Sequence, residues 1–341
     1  MDTGKLNASG LGTSVSTSRT AFCFMALALG VVLCALLNLA WGETPIPVSK
    51  LFGALVEPWG EDSVHRVLWD LRVPRVFAAL LSGVALAVSG LALQSVFRNP
   101  LCGPFVLGIS SGASLGVALA MLAGFGFGHL GVLGAATVGA VAVTACIMGL
   151  ASRFTRGAVL LVAGLLVGYF VDAMVSVIIS GASAEALRVY VAWGMGSFGR
   201  LLLGDVWIFV LAVVVGLLLV VSSMRYLNAV VVGEDFARGL GVPVRCSKNC
   251  VLLGASILAG AVTAFCGPVA FVGIAVPHLA FNLFKTSNHR ILLPGSALCG
   301  ALLCLLACLF PVSIPLNAVL SVVGVPVILY VILRKSHSGA L

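Results

Sequence analysis

The side chains of this chain that can do acid–base or nucleophilic chemistry are few and widely separated. Its 341 residues include 11 Asp and Glu and 5 His. Mg²⁺-dependent catalysis needs paired acids, and covalent catalysis needs a nucleophile beside a base. The acidic pairs Glu61-Asp62 and Glu234-Asp235 lie in separate parts of the chain, and His278 is a lone histidine in an apolar stretch. The pattern therefore argues against an enzyme, including a membrane-embedded transferase.

The 10 cysteines do not form a metal-binding pattern. Cys246 and Cys250 have the i,i+4 spacing of one helix face, but no histidine or carboxylate lies nearby to complete a site. Most of the others lie inside apolar stretches, where cysteine behaves as a small hydrophobic residue: Cys23, Cys34, Cys146, Cys299, Cys304 and Cys308. We predict no metal ligand and no cofactor in this chain.

Asp172 is the one carboxylate that falls well inside a long apolar run, in the segment Gly168-Tyr169-Phe170-Val171-Asp172-Ala173. A charge at that depth in a membrane is costly and marks a candidate functional residue. Two interpretations stay open at this point. Asp172 either lines a substrate pathway or is a protonated or hydrogen-bonded packing residue.

The elements that must position these residues are membrane-spanning helices. The chain is 61% hydrophobic and only 9% charged, with a mean hydropathy of +1.19, whereas a soluble fold has roughly a quarter charged residues. Its 40 glycines suit helices that pack closely in lipid. The net charge of +8 comes from basic residues placed singly between apolar runs, which is typical of topology determinants and not of nucleic-acid binding.

Reading the sequence for runs of about twenty apolar residues predicts an all-α, polytopic membrane protein with about ten transmembrane helices. The eighth run is short and carries Pro277 and His278, which indicates a broken or partial helix. We expect the first run to be retained as a span. The ten runs cover 21–41, 72–96, 102–124, 129–151, 158–181, 204–224, 247–267, 270–284, 291–311 and 316–334.

The distribution of lysine and arginine predicts the orientation. With ten spans and a cytoplasmic N-terminus, thirteen basic residues fall on the cytoplasmic side and six on the other, as the positive-inside rule requires. The six are Lys50, Arg66, Arg72, Arg75, Arg188 and Arg200. We therefore predict a cytoplasmic tail at 1–20, a transmembrane domain at 21–334 and a second cytoplasmic tail at 335–341.

The longest predicted cytoplasmic loop, residues 228–242, has the pattern of a short docking helix. Glu234 and Asp235 suit the first turn of a helix, where negative charge complements the dipole. Phe236 and Leu240 have i,i+4 spacing and form a small apolar knob, and we predict that Gly239 and Gly241 break the helix. Such a knob predicts that the segment docks into a groove of a partner protein. The alternative is that the segment is an amphipathic helix lying on the lipid surface.

Several ordered motifs of this chain resemble one family of transport proteins, the FecCD-type permeases of bacterial ABC importers for ferric siderophores, haem and cobalamin. The resemblance runs from about residue 66 to 334. Its motifs are Arg72-Val73-Pro74-Arg75, a small-residue helix ending in Gln94, Arg98-Asn99-Pro100-Leu101, Leu107-Gly108, Trp193-Gly194, Gly239-Leu240-Gly241, Gly267-Pro268, Val276-Pro277-His278, His289-Arg290 and Gly324-Val325-Pro326.

The resemblance implies a set of partners in the bacterial inner membrane. A second permease, either another copy or a paralogue, pairs with this chain, and two cytoplasmic ATPases bind the ATP. A periplasmic or lipid-anchored binding protein delivers the substrate, and transport follows ATP-driven alternating access. No partner is a nucleic acid. The loop at 228–242 then becomes the ATPase-coupling segment, with Glu234, Asp235, Phe236, Ala237, Leu240 and Gly241 as its candidate residues.

By the same resemblance, Arg72 and Arg75 dock the binding protein, because guanidinium groups pair well with carboxylates. Pairing with nearby Asp70 or Glu61, or snorkelling to headgroups, is the alternative. Gln94 and Asp172 are candidates for the translocation pathway, although the family pattern assigns Asp172 no role. An ion-coupled secondary transporter is the competing function, but it needs several membrane carboxylates or broken-helix ion sites.

Two departures from the family pattern affect docking. Phe281 stands where the family often has the arginine of Pro-His-x-x-Arg, and Cys308 stands where it often has aspartate. We therefore expect docking of the binding protein to depend also on Arg188 and Arg200.

A faint internal symmetry suggests an inverted repeat of two five-helix halves. The segment Cys102-Gly103-Pro104 recurs as Cys266-Gly267-Pro268, after spans that point in opposite directions.

Overall fold

A computed structural model describes residues 17–42, 53, 62–105, 107–122, 129–153, 157–311 and 313–337. All regular secondary structure in these ranges is helical, which confirms the all-α prediction. Glu61, of the acidic pair Glu61-Asp62, lies outside the described residues. So do 1–16 of the predicted N-terminal tail and 338–341 of the C-terminal tail.

In chain order, the helices are α1 Thr17–Ala40, α2 Ser63–Phe97, α3 Ile109–Leu122, α4 His129–Arg153, α5 Gly157–Ser180, α6 Ala184–Gly194, α7 Val206–Ser222, α8 Met224–Val230, α9 Glu234–Gly239, α10 Val244–Cys266, α11 Val272–Phe284, α12 His289–Cys308 and α13 Leu316–His337. Helix α2 includes a π-helical segment at Val67–Arg72.

The ten predicted apolar runs all coincide with apolar helices of the described structure. Seven helices are long and apolar enough to cross a membrane, and α3, α11 and the Leu316–Tyr330 part of α13 are shorter apolar helices. Helix α11 has 13 residues and contains Pro277, as expected for the partial eighth helix. The short helices α6, α8 and α9 lie between the spans.

Helix α2 lies at the centre of the bundle. In the most apolar part of α2, 78% of the residues are buried, compared with 22% in α1 and in α5. Helices α7, α10, α11 and α12 all pack against α2. The small-residue sequence of α2 explains this position, since alanine, glycine and serine let neighbouring backbones approach closely.

Glycines bring α2 into backbone contact with two other helices. A Cβ atom built on Gly83 would overlap the carbonyl of Gly300 in α12, and one on Gly300 would overlap Gly83 in return. A Cβ atom on Gly90 would overlap the carbonyl of Gly273 in α11. These crossings therefore require glycine for steric reasons.

The two segments that suggested an inverted repeat meet inside the bundle. Each precedes a short helix: 102–105 leads to α3, and 267–271 leads to α11. A Cβ atom on Gly273 would lie 3.0 Å from Cδ of Pro104. Asn317 satisfies the backbone of the second segment, since its Oδ1 accepts the Ala270 N–H at 3.0 Å and its Nδ2 donates to the Pro268 carbonyl at 2.8 Å. Non-helical backbone is tolerated at membrane depth only when it is buried and paired in this way.

Replacing Gly90 by alanine should destabilise the protein strongly. The new methyl group overlaps backbone and not a mobile side chain, so we expect a loss of at least about 3 kcal/mol, the upper end for an overpacked core. Gly134→Ala in α4 is the matched control, because no atom of the described residues lies within 4 Å of its Cβ position. Thermal unfolding in detergent should show a lower Tm for Gly90→Ala only, and equal Tm values would contradict the packing argument.

Candidate functional site

One end of the bundle gathers the segment that was predicted to couple to an ATPase; we call it the coupling end. It contains the C-terminal ends of α2 and α11, the first turns of α10 and α12, and the short helices α8 and α9. Ser95 of α2 contacts His289 of α12 at this end. His278 Nε2 lies 2.9 Å from the Pro100 carbonyl and so donates a hydrogen bond to it, which agrees with a structural role for this histidine.

Helix α9 forms as the sequence predicts, with Glu234 and Asp235 in its first turn. The side chains of Phe236 and Leu240 are 49% and 61% exposed, although both are large and apolar. Gly241 has φ +74°, a left-handed conformation that glycine adopts readily and that ends the helix. The predicted apolar knob is therefore present on the surface of the described chain.

The opposite side of α9 attaches it to the bundle. Ala237, a candidate coupling residue, is fully buried, so it anchors the helix and does not present itself to a partner. Oε1 of Glu234 lies 3.2 Å from Nζ of Lys248 in α10, and the Lys248 side chain is only 9% exposed. Arg238 adds exposed ion pairs with Glu234 and Asp235 at 3.7 and 3.3 Å, which contribute little by comparison.

Tyr226 of α8 lies within electrostatic reach of Glu234. It is fully buried, and its hydroxyl has no hydrogen-bond partner among the described residues. Burial raises the pKa of the Tyr226 phenol above its ordinary value, and the nearby Glu234 carboxylate acts in the same direction. The phenol is therefore neutral at any physiological pH. Glu234–Lys248 is then the least exposed ion pair where α9 joins the bundle, while the pairs of Arg238 lie at the surface.

His289 joins three helices at the coupling end. The residue is 1% exposed. Its Nδ1 and its backbone N–H lie 3.1 and 2.8 Å from Oδ1 of Asn228 in α8, and its Nε2 lies 2.7 Å from Oγ of Ser95 in α2. Because Oδ1 of Asn228 can only accept, Nδ1 of His289 carries the proton and donates. In a neutral imidazole, Nε2 then accepts from the Ser95 hydroxyl.

The sequence motifs include His289 but assign it no function. Its partners are distant in the chain, 194 residues away at Ser95 and 61 at Asn228, so spacing alone does not reveal the junction.

At the other end of the bundle, which we call the outer end, three arginines bind the C-terminal carbonyls of helices. Nη1 of Arg72 donates to the Leu39 carbonyl at the end of α1 at 2.6 Å. Nη2 of Arg75 donates to the carbonyls of Cys308 and Phe310 at the end of α12 at 2.8 and 2.9 Å. Arg200 donates to the carbonyls of Ala192 and Trp193 at the end of α6. A cation at a helix C-terminus also complements the dipole.

This geometry separates the predicted docking residues. Arg72 is 8% exposed, so its guanidinium is not presented at the surface. Arg75 is half-buried, and Arg188 on α6 is exposed. Burial lowers the pKa of Arg200, as expected for a guanidinium enclosed by backbone.

The two pathway candidates lie in different environments. Nε2 of Gln94 donates to the Gly273 and Ile274 carbonyls at 3.4 and 3.2 Å, so this side chain holds α2 against the start of α11. Asp172 lies on an exposed face of α5. The structure does not bring the two side chains together.

The described part of the chain holds no group of three or more His, Cys, Asp or Glu residues that could bind a metal ion. All 10 cysteines are free thiols.

His289→Leu should weaken the junction of α8 with α2 and α12. Leucine fills the space but leaves Oδ1 of Asn228 with only the backbone N–H of residue 289 as donor, which costs about 1 kcal/mol for a lost hydrogen bond. The Ser95 hydroxyl still has the Leu91 carbonyl as acceptor at 2.9 Å. His289→Asn, whose side-chain amide can replace Nδ1–H, should retain more stability. Thermal unfolding of both variants measures the difference, and a Tm for His289→Leu at or above that of His289→Asn would argue against the assigned hydrogen bonds.

Comparison with known proteins places this arrangement in one family. The model of the FecCD transport family matches residues 30–334. The vitamin B12 import system permease protein BtuC of Salmonella typhi is 33% identical over 326 residues, which cover 94% of this chain and 97% of that protein. BtuC of Salmonella newport (strain SL254) shows the same identity and coverage.

A solved structure has the same fold. It is an inward-facing conformation of a metal-chelate type ABC transporter, with a TM-score of 0.81 and 27% identity, and the match covers 92% of this chain and 99% of that one. The helical arrangement described above thus has a known overall architecture, and this chain is a multi-pass membrane protein of the FecCD transport family.

Proposed function

We propose that this chain, an ABC importer permease by its family, carries an iron chelate, haem or cobalamin inward across the bacterial inner membrane. The observation that carries the proposal is the exposed Phe236–Leu240 knob on α9, held to α10 by the Glu234–Lys248 ion pair. A large apolar pair exposed between charged residues is typical of a surface that a partner covers. That partner is one of two cytoplasmic ATPases, which bind and hydrolyse the ATP.

Coupling requires that a displacement of α9 is transmitted to the membrane-spanning helices. The Glu234–Lys248 pair connects α9 to the first turns of α10. The His289 junction connects α8, which directly precedes α9, to α2 and α12. Movement of the ATPases is therefore passed to three of the most buried helices, and alternating access follows from their displacement relative to the helices of a second permease copy or a paralogue.

The coupling end faces the cytoplasm in this proposal, and both termini lie on the same side. Exposed basic residues support the assignment, since Arg98, Arg225, Arg245, Lys285 and Arg290 all lie near the coupling end. The arginines of the outer end bind helix C-termini and are therefore compensated locally. A binding protein docks at that outer end, on Arg188 and the half-buried Arg75 and not on Arg72.

Phe236→Asp should prevent productive assembly with the ATPase. A charge placed in the centre of an apolar contact removes a hot spot worth at least about 2 kcal/mol, or roughly thirtyfold in affinity. The measurements are the Kd for the ATPase and substrate-stimulated hydrolysis in proteoliposomes. Leu202→Asp is the matched control, because Leu202 is 53% exposed and lies at the outer end.

Unchanged assembly and transport in Phe236→Asp would refute the coupling role of α9. Equal losses in both variants would mean a general folding defect. Transport that persists without any ATPase and follows a proton or sodium gradient would instead establish a secondary transporter.

Arg188→Glu should reduce stimulation of hydrolysis by the binding protein at least about fivefold while basal hydrolysis stays unchanged. Reversing an exposed charge at a contact rim slows association with an acidic partner. Arg188→Lys keeps the charge and should retain most of the stimulation. The hydrolysis rate at several binding-protein concentrations distinguishes the variants, and full stimulation of Arg188→Glu would remove this residue from the docking surface.

A further inference from the structure

Helix α5 packs against the rest of the chain along one narrow stripe. Its buried residues recur every three or four positions, as one face of a helix does. Gly168 on this stripe approaches Gly108, at the start of α3, so closely that a Cβ atom on Gly108 would lie 2.9 Å from Cα of Gly168. Most of the remaining surface of α5 is open in the described chain. The stripe consists of Leu160, Gly164, Gly168, Val171 and Val175.

The open surface of α5 has two chemically different flanks. Tyr169, Asp172 and Ser176 follow one another at spacings of three and four, so they form a polar stripe on one side of the buried face. Phe170, Met174 and Val177 form the corresponding line on the other side, and all three are apolar and exposed. All of the exposed ionisable and hydroxyl groups in this part of α5 therefore lie on one flank.

A second helix borders the polar stripe. Burial raises the pKa of the Tyr190 phenol in α6, a hydrogen bond from Ser114 lowers it, and the Asp172 carboxylate raises it again. Asp172 therefore lies within electrostatic reach of Tyr190. The carboxylate of Asp172, the phenol of Tyr169 and the hydroxyl of Ser176 therefore share one flank of α5, and the phenol of Tyr190 lies within electrostatic reach of that carboxylate.

Lipid does not solvate the polar stripe of α5. Carboxylates within spans face a bundle interior or a water-filled cavity, because hydrocarbon does not solvate them. The apolar flank of the same helix has no such requirement. The difference between the flanks identifies the polar stripe as the side of α5 that faces water or substrate.

We propose that the polar stripe of α5 lines the translocation pathway and makes it select neutral or cationic chelates over polyanionic ones. This inference rests on the proposed function. Carboxylates fixed along a pore favour cations and repel anions, more strongly where protein and lipid exclude water. The hydroxyl groups beside Asp172 both donate and accept hydrogen bonds, which suits ligands rich in amide or hydroxyl groups.

The test uses small charged thiol reagents as probes and needs neither the ATPase nor the binding protein. Ser176→Cys places a thiol one helical turn from Asp172, in a background with the exposed cysteines replaced, Cys146→Ser and Cys246→Ser. The permease in proteoliposomes is treated with membrane-impermeant cationic and anionic methanethiosulfonates. We expect Ser176→Cys to react with both reagents and to favour the cation, and the ratio of the two rates to fall about tenfold when Asp172→Asn is added.

Val177→Cys, on the apolar flank, is the matched control and should react much more slowly with both reagents, whether or not Asp172→Asn is present. Absence of reaction at Ser176→Cys would place the stripe in lipid or in a dry contact and overturn the inference. An unchanged ratio would retain an aqueous pathway but refute its charge selectivity. Because these rates do not depend on hydrolysis, failure of the ATPase-coupling experiment leaves this result interpretable, and the reverse also holds.

Discussion

The backbone contacts of α2 with α11 and α12 determine how the other helices can be arranged. In lipid, apolar side chains gain little free energy by moving from hydrocarbon to another helix, so close van der Waals packing must hold the bundle together. Gly83 with Gly300, and Gly90 with Gly273, bring the chains to contact distances that no other residue permits. These crossings also align Gln94 with the carbonyls of α11 and bring Ser95 to His289. The coupling end is therefore a consequence of how α2 packs.

The positive charges at the outer end have an explanation within the chain itself. In the proposed orientation this end faces away from the cytoplasm, where arginines oppose the positive-inside bias and a compensating interaction is required. Arg72, Arg75 and Arg200 each donate to the last carbonyls of a helix, those of α1, α12 and α6. Carbonyls in the last turn of a helix are short of intrahelical donors, and an arginine donates to them while it complements the helix dipole. The same residues that suggest a docking surface in the sequence thus also close the ends of three helices.

Features set by local sequence could be predicted, and features set by distant neighbours could not. The ten apolar runs, the short eighth helix and α9 with its exposed Phe236 all follow from periodicity, proline and glycine. The burial of Arg72 depends on Leu39, and the role of His289 depends on Ser95 and Asn228. Because these partners are distant in the chain, residue spacing could predict neither feature. Asp172 is recognisable from the sequence as a costly charge, but only the packing of α5 shows that it shares a flank with Tyr169 and Ser176.

The attachment of the helices also indicates where movement occurs. Helices α2 and α12 are joined at three levels, by Ser95 with His289 at the coupling end, by Gly83 with Gly300 in the middle and by Arg75 with Cys308 at the outer end. Because these contacts lie at both ends and in the middle, a displacement applied to one helix of the pair is passed to the other along its length. Helix α5, by contrast, is held by a single stripe that includes Gly164 and Gly168. In the proposed mechanism, the polar flank of α5 is the surface that opens and closes as the α2–α12 pair moves, and charge selection takes place at that moving boundary.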